Sequence, residues 1–236
     1  YPHDPFLQIK TKQYPSLSAE EDATFKKQIS MSQLLGELQQ LIKNRNFFYI
    51  LIIFSMMNGS YVSLGTIINF LFEPFGYTAT ETSILGAIFI VSGLISSIIF
   101  PIIIEKYHWL LLSLKLIVTG SFLSSLIVLG AIPSKIFSFA SVAISLLGFF
   151  VIPTMSVVYA FATELTYPHS EALFGSLLQA GSGIFGTVVA YGISYLINNL
   201  GGFAALLAYV IFFFICCVLS HFIHEDLRRL NLKNDG

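Results

Sequence analysis

Six apolar runs, at about 46–72, 82–104, 109–130, 135–162, 171–197 and 203–223, constrain this 236-residue chain more than any other feature. Each supplies the roughly 20 helical residues needed to cross the hydrocarbon core of a bilayer. None shows the short alternating strands of a membrane barrel. Inside hydrocarbon a segment must pair its own backbone N–H and C=O groups, and a helix does this within itself. The connections are short, such as Glu105–His108 and Ala131–Ser134. Successive helices therefore run antiparallel in one bundle. The expected fold class is an all-α membrane protein with six transmembrane helices, embedded in membrane lipid.

Composition excludes several function classes. Only 11% of the residues are charged, against about 25% in an ordinary soluble domain. A net charge of -1 offers no phosphate-tracking surface, so no nucleic-acid partner is expected. The chain contains no Gly-x-Ser-x-Gly, His-Glu-x-x-His or phosphate-loop pattern, so neither an enzyme nor a cofactor site is expected. Cys216 and Cys217 are adjacent on one helix, point about 100° apart, and read as small apolar residues rather than a bridge. His221 and His224 end the last span beside Glu225 and Asp226, where interfacial residues are normal, and no metal site is expected. Asn58-Gly-Ser60 matches a glycosylation acceptor but falls in mid-span.

The flanks divide the chain further. Residues 1–29, with Pro2, Pro5, Pro15 and the acidic Glu20, Glu21 and Asp22, read as a polar tail or linker. Residues 30–45 carry Met31, Leu34, Leu35, Leu38, Leu41 and Ile42 on one helical face, with Ser30 placed to cap it. That stretch is too short and polar to span, and fits an amphipathic helix at the interface. The six-helix bundle covers 46–224, and 225–236 form a tail. Residue 1 is Tyr rather than Met, which leaves open a start upstream or a removed leader. Lys26, Lys27, Lys43 and Arg45 precede the first span, Lys106 follows the second, and Arg228, Arg229 and Lys233 follow the sixth. Basic residues favour the cytoplasmic side, so both termini are expected there, as an even number of spans also requires.

Polar residues inside the spans are the candidates for function. Asn58, Gly59, Ser60, Tyr61, Ser63, Gly65 and Thr66 interrupt the first span. In the fifth, Gln179, Ser182, Thr187 and Tyr191 sit among Gly175, Gly181, Gly183, Gly186 and Gly192. Two readings fit: close helix packing with local hydrogen bonds, or a cavity-lining segment of the kind transporters place near the midplane. On the second reading Asn58, Tyr61 and Gln179 face one polar cavity. Pro153 predicts a bend in the fourth span. Four charged residues beside helix ends, Glu105, Lys106, Glu164 and Glu171, are candidates for a cytoplasmic gate.

These residues resemble a known family. Pro101-Ile-Ile-Ile-Glu105-Lys106 after the second span is similar to the major facilitator motif Gly-x-x-x-Asp-Arg, with Pro for Gly and Glu for Asp. Glu164-Leu-Thr-Tyr-Pro-x-x-Glu171, followed by the Gly-rich helix with Ile184-Phe185-Gly186, resembles the FLVCR-related (feline leukaemia virus subgroup C receptor-related) transporters. Gly59-x-Tyr61 with Thr66-Ile-Ile-Asn69 resembles that family's seventh helix, while Gly183 stands where the family's eleventh helix carries Gln. The resemblance covers about 46–224. It implies the C-terminal six-helix half of a twelve-helix major facilitator fold and a second six-helix bundle as partner. It also implies movement of a small-molecule solute, choline- or ethanolamine-like or haem-like, by alternating access. The alternative is a non-transporting membrane subunit with a structural or docking role in a larger complex.

Overall fold

The structure, a computed structural model, describes Gly36, Gln39 and residues 41–107, 109–166 and 171–223. The polar tail, most of the amphipathic stretch, residues 167–170 with Pro168, and the C-terminal tail with His224 lie outside the described residues. The described residues from Gln39 to Ile223 belong to one compact unit.

Helices follow the apolar runs: α1 (Arg45–Phe72), α2 (Ala79–Tyr107), α3 (Leu110–Ala131), α4 (Phe137–Val151), α5 (Thr154–Thr166), α6 (Glu171–Leu200) and α7 (Gly202–His221). With α4 and α5 taken as one span, six spans of 20 to 31 residues result among the described residues. At 1.5 Å per residue the shortest reaches about 30 Å, enough for the bilayer core.

Local chemistry sets the ends. Residues 41–43 are helical, and Asn44 then starts α1 afresh. Its Oδ1 accepts from the backbone N–H of Asn46 at 3.1 Å and of Phe47 at 3.4 Å, which satisfies two orphan donors. At α2, Thr78 Oγ1 accepts from Glu81 N at 3.2 Å and Glu81 Oε2 accepts from Thr78 N at 2.8 Å. This reciprocal pair brings the helix start forward to Ala79, ahead of the apolar run itself. The fourth span breaks at Ile152–Pro153, where proline supplies no N–H to continue the ladder. Inside the bundle, serines donate to their own helix: Ser96 to Gly93 O, Ser121 to Ile117 O, Ser125 to Phe122 O. Such back-bonding lets hydroxyls sit in hydrocarbon.

Packing is uneven. α1, at the centre, is the most buried span, and it runs along α6 and also meets α7 and α5. α2 runs along α4 and has little contact with α1, its neighbour in sequence. It is the least buried span, and its outer stripe of Ile84, Val91, Ile95, Ile98 and Ile102 is exposed and wholly apolar. That composition suits lipid tails or another apolar surface.

Candidate functional site

Two small residues decide how α1 and α6 meet. A Cβ on Gly59 would come 2.8 Å from the Phe185 ring and 2.9 Å from Gly186 N, and a Cβ on Gly186 would come 3.1 Å from Gly59 O. Only glycine at both positions allows this backbone approach. One residue away, Asn58 Nδ2 donates to Ser182 Oγ at 2.7 Å. The amide that hydrocarbon would penalise thus finds its partner on the facing helix. Asn58 is half-buried and Ser182 buried.

Tyr61, nearly one turn further along α1, meets α2 rather than α6. Its ring stacks on Phe89 of α2, with centroids 5.9 Å apart and planes at 23°. Phe89 is held from behind by α4. A Cβ on Gly148 would overlap the Phe89 carbonyl oxygen and lie 2.7 Å from Ser92 Oγ, so α2 and α4 touch backbone to backbone there. Because α1 and α2 otherwise stand apart, an open cleft of ≈ 290 Å³ remains between them. Tyr61, Gly65 and Ile68 of α1 line it, with Gly86, Phe89 and Ile90 of α2. Behind the stacked rings is a small apolar pocket of ≈ 20 Å³, to which Tyr61, Leu64 and Phe89 also contribute. The two rings therefore form the wall between an outer cleft and an inner void. Beside the void, Ser63 Oγ and Tyr209 OH share a hydrogen bond of 2.9 Å, while the buried Ser60 Oγ has no hydrogen-bond partner among the described residues.

Gln179 is exposed on α6. It belongs to a stripe at helical spacing that also carries Ser176, Gly183, Thr187, Tyr191 and Tyr195, all exposed. Thr187 Oγ1 donates to Gly183 O at 2.8 Å. Tyr191 and Tyr195, at 77% and 67% exposure, are among the most open large residues of the chain. Of the three residues expected to share a cavity, then, Tyr61 borders the cleft, Asn58 pairs with Ser182, and Gln179 stands on the polar stripe of α6. Neither Asn58 nor Gln179 lines the cleft at Tyr61.

By helix connectivity the four charged candidates fall at the same end of the bundle. Glu105 and Lys106 are exposed in the last turn of α2. Lys106 Nζ lies 5.3 Å from the centre of the Tyr107 ring, which in turn stacks on Trp109 at 5.0 Å. Glu164 is half-buried near the end of α5. Glu171 opens α6, where a negative charge suits the helix N-terminus.

Phe89 has no sequence signal: it is one apolar residue among many in α2, and only the fold brings it to Tyr61. Ser182 was visible as part of a Gly-Ser-Gly run, but its pairing with Asn58, 124 residues away, was not.

No family profile matches the chain. It is 26% identical over 195 residues to an uncharacterized MFS-type transporter of Caenorhabditis elegans, covering 82% of this chain and 33% of that protein. It is 27% identical over 199 residues to the choline/ethanolamine transporter flvcr2a of Danio rerio, covering 83% and 42%. The human choline/ethanolamine transporter FLVCR2 is 23% identical over 197 residues, covering 83% and 37%. The chain thus spans between a third and just over two-fifths of the length of these relatives. Six apolar helices in one bundle and these similarities agree: the chain is a multi-pass integral membrane protein with the fold of one half of a major facilitator transporter, resembling the C-terminal half of the FLVCR-related family.

Proposed function

We propose that this chain is the second bundle of a solute transporter that moves a small organic cation of the choline or ethanolamine type by alternating access. The observation that carries the reading is the cleft at Tyr61 and Phe89, an opening between α1 and α2 with two aromatic rings in its wall. Its volume suits a solute of a few heavy atoms, and an aromatic face attracts a cation. The relatives named for choline and ethanolamine support that solute class. The partner is a second six-helix bundle. The polar stripe of α6 supports this, because the Gln179 amide facing lipid would cost free energy. Transport itself requires no bond-making, only two conformations whose balance the solute shifts. Glu105, Lys106, Glu164 and Glu171 would contribute to closing the cytoplasmic end, and Asn58 would hold α1 to α6 beside the pathway.

Uptake of radiolabelled choline into proteoliposomes that hold this bundle together with its partner bundle tests the reading. Uptake above empty liposomes is expected, with a loss of roughly tenfold in Tyr61→Leu, the size of a cation–π contact in a dry site. Uptake no higher than in empty liposomes would instead fit a structural or docking subunit.

A further inference from the structure

We propose that the seam between α3 and α7 binds an anionic glycerophospholipid. Lys115 contacts its headgroup phosphate, and its acyl chains lie along the outer faces of the two helices. The site does not depend on which solute the protein moves.

Lys115 stands apart from the other charges of the bundle. Every other charged residue of the described spans lies within three residues of a helix end, whereas Lys115 is the sixth residue of α3. The stacked and exposed Tyr107 and Trp109 rings belong at headgroup level. Lys115 then lies about 9 Å along the helix from Trp109, inside the apolar run. It is half-buried, and it has no ion pair or hydrogen bond among the described residues. An ammonium at that depth needs a counter-charge. Neither α3 nor α7 contains an acidic residue, so the counter-charge comes from outside these two helices.

Contacts along the seam show where Lys115 sits. Phe122 meets Phe214, with ring centroids 5.4 Å apart, and three residues back Thr119 meets Cys217 at 3.7 Å. The helices run antiparallel, so one further turn brings Lys115 level with His221. His221 Nδ1 lies 2.8 Å from the Cys217 carbonyl oxygen, which can only accept, so Nδ1 is the donor and Nε2 is left for another group. A lysine and an imidazole edge at one level of a helix seam suit a phosphate, which lysine binds as a point charge. Toward the bilayer centre the seam is flanked by exposed apolar side chains, Leu112, Leu116 and Leu123 on α3 and Phe214 and Val218 on α7. A free anion has no use for that surface, but two acyl chains bury against it. Charge and apolar surface together therefore fit a lipid rather than a soluble phosphate.

The test is native mass spectrometry of the protein as isolated from its membrane, titrated with phosphatidylserine, with phosphatidylcholine of the same acyl chains, and with glycerophosphoserine, which has no tails. Phosphatidylserine is expected to bind about fivefold tighter than phosphatidylcholine, the size of one lysine acting on an anionic lipid. Glycerophosphoserine should bind far more weakly than either. Lys115→Met, which keeps the length and loses the charge, should abolish the preference, and Lys115→Arg should keep it. Lys106→Met, at the same end of the bundle, should leave it unchanged. If Lys115 acts only through the fold, Lys115→Met weakens both lipids by one factor and the preference survives, which sinks the proposal. Equal binding of the two lipids by the unmutated protein also overturns it, as does loss of the preference in Lys106→Met. Glycerophosphoserine binding as tightly as phosphatidylserine would make the site one for a free anion and overturn the assignment to a lipid.

Discussion

Lys135 shows how much a single position can carry. It adopts φ +59°, the one positive φ outside glycine among the described residues. It closes the tight turn between α3 and α4, where Ser134 Oγ donates to Ala131 O at 2.7 Å and accepts from Ile136 N at 3.3 Å. An L-residue with a Cβ pays roughly 1–2 kcal/mol to sit there, and glycine does not. Lys135→Gly should raise stability by about 0.5–1 kcal/mol after the extra chain entropy of glycine is set against that relief. The thermal midpoint of the detergent-solubilised protein checks it, and an unchanged or lower midpoint would mean the lysine side chain offsets the strain. Its Nζ does lie near Gly76, 3.7 Å from where a Cβ on that glycine would be. The short connection was legible at Ala131–Ser134, but the left-handed residue at its border was not, since Lys is not a usual choice there.

Among elements, the α1–α6 contact is the firmest statement of the fold. Glycines at the crossing and the Asn58–Ser182 hydrogen bond occupy the same turn of each helix. A double-mutant cycle with Asn58→Ala and Ser182→Ala should give a coupling of about 0.6–1.5 kcal/mol, the range of interhelical hydrogen bonds in membranes. Reversible unfolding in mixed micelles measures it, and a coupling indistinguishable from zero would show that the bond is not formed in solution. The other strong pair is α2 with α4, joined at Gly148 and at Gly93, where a Cβ would overlap Ile152. The cleft lies between these two pairs, which explains why it opens beside Tyr61 and not beside Asn58. The glycine and amide signatures in the first and fifth spans were readable in advance, as was a bend at Pro153. Their meaning was split: Asn58 supports the packing reading, while Tyr61 beside a cleft supports the other.

At the scale of the whole molecule, the placing of charge sets the orientation in the membrane. Basic residues gather at the end that holds the start of α1 and the close of α2, with Arg45 stacked over Tyr49 and Lys106 over Tyr107. We predict that this end faces the cytoplasm. Single cysteines at Lys106 and at Asn199, which connectivity puts at opposite ends, should label from opposite sides of sealed vesicles, with Asn199→Cys reacting from the side away from the cytoplasm. Labelling of Lys106→Cys from the side away from the cytoplasm would reverse the assignment.

From its sequence alone the chain determined its solvent, its helices and the approximate fold class. Runs of 20 or more apolar residues have one way to satisfy their backbone in hydrocarbon, and that requirement is local. Relations between helices were decided only in the tertiary structure. Which side of α1 meets α6, where α1 and α2 part, and which ring stands opposite Tyr61 depend on contacts between residues far apart in sequence. Lipid is as apolar as a helix interior, so a hydrophobic pattern cannot tell a lipid-facing residue from a packed one. Phe89 and Val91 therefore look alike in sequence, and only packing buries the first against Tyr61 and leaves the second exposed.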